Sequence, residues 1–296
     1  MKIVAKRKLW FSISLVAIII SVVALFTFKL NTGIDFTSGT LFSMRFGSSV
    51  TSDQINSFLN DEQFAGMKLG KAMVQGIGEN EFSIRVPALS NEDQDKFVAA
   101  FNEEFSDVTV MGIDLVDARI GSELTKNALY SVILACLGIL IYIGFRFQFS
   151  FAVAGVLALV HDVIITLGVF AISRQQVNSA FIAAMLTIVG YSINNTIIIF
   201  DRIRENLKRG KIKDDAEIVD ISISETLTRT MNTSITTFIV VLMLFIFGAS
   251  SIRDFTLAML TGIIVGTYSS LLIAGPLWYV IKTSFGKKKA ISKSNK

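Results

Sequence analysis

His161 and Asp162 stand side by side near the middle of an apolar stretch that runs from Phe151 to Ile172. His161 is the one histidine of the chain, and Asp162 is the one acid well inside any of its long apolar runs. An imidazole next to a carboxylate in such a setting can hold a proton, couple to an ion, or tie helices together through a buried hydrogen bond. A charge at mid-bilayer costs roughly 3 kcal/mol on insertion scales, so a residue of this kind is kept for a partner or for a protonation event. Thr166 lies one turn further on, on the same helix face as Asp162.

A second polar group interrupts the stretch from Leu186 to Asn206. Gly190, Tyr191, Ser192, Asn194 and Asn195 sit between an apolar half and a charged half. Thr187, Tyr191 and Asn195 recur at i, i+4 and i+8, which predicts one shared face pointing toward other helices. Hydrocarbon offers no water to a side-chain amide, so these groups need protein partners or a wet path. Two readings stand: interhelical hydrogen bonding, or a functional site. Counting about 1.5 Å per residue from the cytoplasmic end of each stretch, Tyr191 matches Asp162 in height better than Asn195 does. Further on, Arg229 precedes Asn232, Thr233, Thr236 and Thr237 at the base of another apolar run. An arginine there also suits snorkelling to headgroups.

The elements that position these residues follow from composition. Of 296 residues, 52% are apolar and 18% charged, with 2 prolines. Clumped apolar residues at that level indicate spanning helices. Six are predicted: Leu9–Phe28, Ala128–Phe145, Phe151–Ile172, Phe181–Phe200, Thr233–Gly248, and a last one from about Phe255 to Ile281. The first follows Lys2, Lys6, Arg7 and Lys8. A signal peptide has the same outline, but Phe28-Lys29-Leu30-Asn31 is a poor small-residue cleavage site, so an uncleaved span is expected. With six spans both termini share a side. That side, taken as cytoplasmic, holds 18 of the 28 lysines and arginines: the N-terminus, Arg146, the loop 201–230, and a tail with Lys282, Lys287, Lys288, Lys289, Lys293 and Lys296. The tail also suits contact with the anionic headgroups of the lipid bilayer. Within the loop, Arg202, Arg204, Glu205, Lys208 and Arg209 are predicted to continue the fourth helix out of the membrane. In the sixth span Gly262 and Gly266 form a GxxxG, followed by Thr267, Ser269, Ser270 and Ala274, a small-residue face for close helix packing.

Residues 29–126 change period. Leu41 to Phe46 alternates as a half-buried strand. Thr51 to Phe64 opens a capped helix with Ile55, Phe58 and Leu59 inward. Strands are predicted around Lys68–Ile77 and Glu81–Val86, with Gly78-Glu79-Asn80 as the turn. A second capped helix, Ser90–Phe105, carries Phe97, Val98, Phe101 and Phe105, and a last strand covers Val108–Val116. The order β-α-β-β-α-β predicts a small ferredoxin-like α+β domain on the extracytoplasmic side. Its 15 acids against 8 bases suit a solvated face.

Several chemistries find no signature. No GxxxxGK[ST], HExxH, GxSxG or CxxC occurs, so no phosphate loop or common hydrolase motif is present and no cofactor is expected. The domain has no His or Cys for a transition metal, and the lone Cys136 excludes an internal disulfide. No basic face interleaved with aromatics suggests nucleic acid. An active transporter of this build must use an ion gradient or an energised partner.

Several longer motifs carry a resemblance. Gly33-Ile34-Asp35-Phe36-Thr37-Ser38-Gly39 resembles GIDFTGG, and Leu159 to Thr166 resembles the third-span HD segment. Gly190 to Thr196 resembles GYSxNDT, Phe200 to Asn206 resembles FDRIREN, and Thr228 to Ser234 resembles xRTxxTS. In this order, over essentially the whole chain, the sequence resembles the SecF family, membrane subunits of the bacterial SecDF protein-export complex within the resistance-nodulation-division superfamily. The resemblance implies an inner-membrane protein that pairs with SecD, works with YajC and the SecYEG channel, and uses the proton motive force late in the export of unfolded preproteins. It implies roles in proton coupling for Asp162 and Arg229, and a matching position at Asn195. Two departures stand out. Ser38 replaces a glycine, which matters only if the backbone there needs positive φ. Asn195 replaces the family's proton-carrying aspartate, and an amide cannot release a proton near neutral pH. Coupling then rests on Asp162 or on the partner, or the chain is an uncoupled scaffold. A solute exporter of the same superfamily is the other alternative; its usual form is a much longer chain with twelve spans.

Overall fold

The computed structural model describes residues 2–294 except 62, 63, 65, 66, 68, 70, 71, 79 and 106. The chain divides into two units, Met1–Asn31 with Ser131–Lys296, and Thr32–Tyr130. In chain order the elements are α1 (Arg7–Phe28), β1 (Asn31–Thr32), α2 (Ile34–Thr37), β2 (Gly39–Phe46), α3 (Ser52–Leu59), β3 (Met73–Gly78), β4 (Glu81–Val86), α4 (Asn91–Glu104), β5 (Val108–Val116), α5 (Ala118–Arg146), α6 (Phe149–Ser173), β6 (Gln176–Val177), α7 (Ser179–Arg209), α8 (Asp215–Phe247), α9 (Arg253–Ser269) and α10 (Gly275–Ser294). A π-helical turn at Ser270–Ala274 joins the last two.

The smaller unit is the ferredoxin-like sandwich that its period predicts. Its sheet runs β3-β4-β2-β5, and each neighbouring pair is antiparallel. Alternation along β2 sends Phe42, Met44 and Phe46 inward, where they meet Ile55 and Phe58 of α3 and Phe97 and Phe101 of α4. Phe42 stacks on Phe97 at 4.4 Å between centroids. Both helices start where their caps stand: Thr51 and Gln54 form a capping box, and the Ser90 hydroxyl accepts from the Asp93 amide. Helix α3 ends at Leu59, sooner than the sequence suggests, and much of the predicted strand start at Lys68 and the turn residue Glu79 lie outside the described residues.

The entry to this sheet answers the question posed by Ser38. Ser38 has φ 58° and ψ 168°, and Gly39 follows at φ 130°. That first pair is a region populated almost only by glycine and costs about 1–3 kcal/mol for other residues. Ser38→Gly is therefore expected to stabilise the unit by about 1–3 kcal/mol. Hydrogen exchange of the Phe42 and Met44 amides in the full-length chain should slow about fivefold or more; unchanged exchange would show that Ser38 carries no strain.

The larger unit holds helices built for lipid. Among the described residues six helices, α1, α5, α6, α7, α8 and the α9–α10 pair over Arg253–Ser284, are long and apolar enough to cross a membrane. Their large side chains face outward, among them Leu15, Ile19 and Phe26 on α1 and Leu134, Ile141 and Phe145 on α5. The buried face of α1 is instead small: Ser14, Ser21 and Ala24. A methyl at Gly168 of α6 would lie 2.2 Å from the Ser21 Cβ, so the two helices touch backbone to backbone there. Several helices extend beyond the predicted spans: α5 begins at Ala118, ten residues before Ala128, and α10 runs past Ile281 to Ser294. Helix α7 runs on to Arg209, as the charged half of its sequence suggests, and α8 begins at Asp215, well before Thr233, capped by the Asp214 carboxylate. An apolar cluster packs the same end of the unit, with Phe151 stacked on Trp278 at 4.7 Å and Ile203, Val219 and Ile223 around them.

Candidate functional site

Helix α6 carries Asp162 midway along its length, and close packing from α7 and α9 buries it completely. Small residues make this approach possible. A methyl at Gly262 would meet Ile188 at 2.4 Å, and one at Gly266 would meet the Ser192 Cβ at 3.0 Å and an Asp162 oxygen at 3.6 Å. The GxxxG face therefore lies against the helix that bears the asparagine cluster.

The Asp162 carboxylate has three partners. Ser192 of α7 donates to Oδ2 at 2.5 Å, and Ser269 of α9 donates to the same oxygen at 2.8 Å. His161 Nδ1 lies 2.8 Å from Oδ1. Ser269 also has the Gly266 carbonyl within 3.2 Å. On its far side His161 Nε2 lies 3.1 Å from Ser14 Oγ of α1, Ser14 is 3.3 Å from the Tyr268 hydroxyl, and Tyr268 donates to the Trp10 carbonyl at 3.0 Å. Thr166 donates to the Asp162 backbone carbonyl, so it supports the helix and leaves the carboxylate alone. Four helices thus meet at one buried imidazole–carboxylate pair. Among the described residues no lysine or arginine pairs with it, and no group of three or more His, Cys, Asp or Glu gathers to hold a metal.

The other predicted residues fall elsewhere. Asn195 is 1% exposed, and its amide nitrogen has no hydrogen-bond partner among the described residues. Tyr191 is half-buried and donates to Ser234 of α8, which Thr267 of α9 also reaches. Asn194 and Arg229 are exposed, and among the described residues Arg229 makes no ion pair. The shared inward face expected of Thr187, Tyr191 and Asn195 is not there, because Thr187 is exposed. Each step of four residues advances about 40° around a 3.6-residue helix, so two steps carry the row from the outer surface to the interior. The inward row is instead Ile188, Ser192, Asn195, Ile199, Ile203 and Asn206. Of the groups around Asp162, the sequence alone did not single out Ser14, Tyr268 or the role of Ser192 and Ser269. A signal existed: Ser14 and Ser21 are seven apart in a mostly apolar helix, and Gly262, Gly266 and Ser269 share one face.

The charged end of α7 has a separate task. Arg202 bonds Glu225 of α8 and Glu205 of its own helix, both at 2.7 Å, and the buried Asn206 amide donates to Ser222 and Glu225. These contacts hold α7 and α8 as a hairpin. Asn206→Leu removes two hydrogen bonds, one to a carboxylate, and is expected to cost about 1–3 kcal/mol. A lower thermal midpoint of the solubilised chain would show it; an unchanged one would mean that Ile203 and Ile218 hold the hairpin alone.

Comparison with known proteins identifies the family. Residues 96–284 match the family described as protein export membrane protein SecD/SecF, C-terminal, and residues 23–50 match the SecD/SecF GG motif. The chain is 37% identical to the protein translocase subunit SecF of Sebaldella termitidis, over 95% of this chain and 92% of that one. It is 38% identical to the protein translocase subunit SecDF of Bacillus subtilis over 94% of this chain, which spans 38% of that longer protein. The crystal structure of SecDF, a translocon-associated membrane protein from Thermus thermophilus, superposes with a TM-score of 0.88 at 36% identity, over 96% of this chain and 39% of its own. With the family matched over most of the length and a translocase subunit matched end to end, the chain belongs to the SecD/SecF family of protein-export membrane proteins.

Proposed function

We propose that this chain is the SecF-type half of a Sec export unit. It pairs with a SecD-type chain in the bacterial cytoplasmic membrane, with both termini cytoplasmic and the α/β domain outside. There it uses the proton motive force to promote the late export of preproteins delivered by the SecYEG channel, with YajC as a further associate. The observation that carries this reading is the Asp162 carboxylate, fully buried among spanning helices and held by hydroxyls and an imidazole in place of a fixed cation. Such a group can take up a proton without breaking a salt bridge to a lysine or arginine, since none pairs with it among the described residues. On protonation Oδ2 becomes a donor, and Ser269 can turn its own hydrogen to the Gly266 carbonyl already within 3.2 Å. A polar face remains outward on α8 and α7, formed by Arg229, Asn232, Thr233, Thr236 and Asn194. The threonine hydroxyls donate to their own helix, but lipid would leave Arg229, Asn232 and Asn194 without polar partners, so a protein partner supplying polar groups suits that face better.

The scaffold reading is favoured by one observation, the unionisable and unpartnered amide of Asn195. Translocation of a secretory precursor into vesicles holding the chain and its SecD-type partner, with and without a proton gradient, separates the two. The chain as it stands is expected to respond to the gradient, and Asn195→Asp to alter the size of the response without creating it. A response seen only with Asn195→Asp would establish the scaffold.

A further inference from the structure

The helix ends opposite the α7–α8 hairpin meet in a small polar group. Arg174 ends α6, Asn178 caps α7, and Gln176 lies in the connection between them. Asp254 stands in the first turn of α9. It precedes the predicted start of the sixth span at about Phe255, and its helix, 32 residues over Arg253–Ser284, is longer than a hydrocarbon core requires. The Asp254 carboxylate ties the α6–α7 connection down. Asn178 donates to its Oδ2 at 3.0 Å, and the Gln176 backbone amide donates to the same carboxylate. Asn178 turns its amide oxygen the other way, to accept from the Phe181 amide at 2.9 Å. Toward α1, Asn31 donates to the Arg174 carbonyl at 2.9 Å, and the Arg174 guanidinium donates to the Phe28 carbonyl. One carboxyl therefore holds the connection against α9, and the connection grips the end of α1, just before the smaller unit begins at Thr32.

We propose that Asp254 is an acid-tightened latch: protonation seats the α6–α7 connection on α9 and firms the end of α1, and ionisation loosens both. A protonated carboxyl still accepts, so both donors stay engaged. Burial pushes Asp254 up to about 6, and the Gln176 amide, Asn178 and Arg253 oppose that rise only in part. When the connection lifts, the carboxyl returns to water and to its ordinary range near about 4. The seated state therefore binds the proton more tightly than the lifted one. Seating is strongest below about pH 4 and weakens as pH rises toward about 6, where the seated carboxyl itself ionises. The groups that face Asp254 are few. Arg253, on its own helix, lies over the Phe245 ring of α8 at 5.4 Å. The α6–α7 connection offers the uncharged Gln176 and Asn178, and its one charge, Arg174, bonds the Phe28 carbonyl. That the latch faces the proton-rich compartment rests on the orientation proposed above; its titration does not.

Hydrogen exchange at the Gln176 amide reads the latch directly. The full-length chain is placed in lipid vesicles, and each exchange rate is divided by the intrinsic rate at that pH. Protection in the parent is expected to rise about tenfold as pH falls from about 7.5 to about 5 on both faces. Asp254→Asn stays uncharged throughout and should show no rise. Asn178→Ser removes a donor to the carboxylate and keeps an oxygen to cap α7, so its rise should begin at higher pH. Protection in the parent that ignores pH, a rise of equal size in Asp254→Asn, or an unmoved midpoint in Asn178→Ser each overturns the latch. Should Asp254→Asn fail to insert, the parent and Asn178→Ser profiles decide. Acidifying one face at a time tests the orientation separately. The rise is expected from the face that bears the smaller unit; a rise confined to the opposite face overturns the orientation and leaves the latch standing.

Discussion

Asp162→Asn is expected to leave a folded, inserted protein whose export activity no longer responds to a proton gradient, falling to the level measured without one. The geometry explains both halves. An asparagine oxygen at the Oδ2 position still accepts from Ser192 and Ser269, which sit at 2.5 and 2.8 Å. Its amide nitrogen then faces His161 Nδ1, which a neutral imidazole can present as an acceptor. No partner is orphaned, and the cost of a buried charge disappears, so stability should change by about 1 kcal/mol or less in either direction. What is lost is the capacity to exchange a proton. Asp162→Leu makes the contrast. It strips the acceptor from two buried hydroxyls and an imidazole, at about 1–3 kcal/mol for each group left unpaired. That variant should lose thermal stability as well as the response. A gradient response retained by Asp162→Asn would remove Asp162 from the coupling path altogether.

How much of this was legible in the residues depends on the range of the interaction. The ferredoxin-like unit was legible because its signals are local. The alternation of Phe42, Met44 and Phe46, and the caps at Thr51 and Ser90, act within a few residues of where they appear. The spans were legible from length and hydropathy, and Asp162 from the cost of putting it there. The partners of Asp162 were not, because they come from α7 and α9, and its neighbour His161 reaches α1; which serine among many meets a carboxylate is decided by helix rotation. The 40° drift that leaves Thr187 outward and carries Asn195 inward is small per turn and decisive over two. Ser38 shows the same limit from the other direction. The resemblance to GIDFTGG marked the position as a departure; only the backbone angle shows that it belongs to glycine.

Gly39→Ala is expected to have the largest structural effect in the smaller unit. Gly39 opens β2, between β4 and β5 in the middle of the sheet, at φ 130°. A side chain there is strained at about 1–3 kcal/mol. Its Cβ would also lie 2.6 Å from the Val86 carbonyl oxygen, a backbone atom in the adjoining strand that cannot rotate away. Relief requires β2 and β4 to part at the point where the Leu89 amide donates to the Thr40 hydroxyl, adding about 1–3 kcal/mol of overpacking. The sum, on the order of 2–6 kcal/mol, is a large share of the 5–15 kcal/mol that holds a domain folded. Both tryptophans, Trp10 and Trp278, lie in the other unit, so their fluorescence would miss the change. Hydrogen exchange at Phe42, Met44 and Phe46 is the suitable measure, with acceleration by about thirtyfold or more expected. Ser38→Gly should act in the opposite sense one residue away. If Gly39→Ala leaves those amides protected, the strand start tolerates a side chain, and the case for strain at Ser38 falls with it.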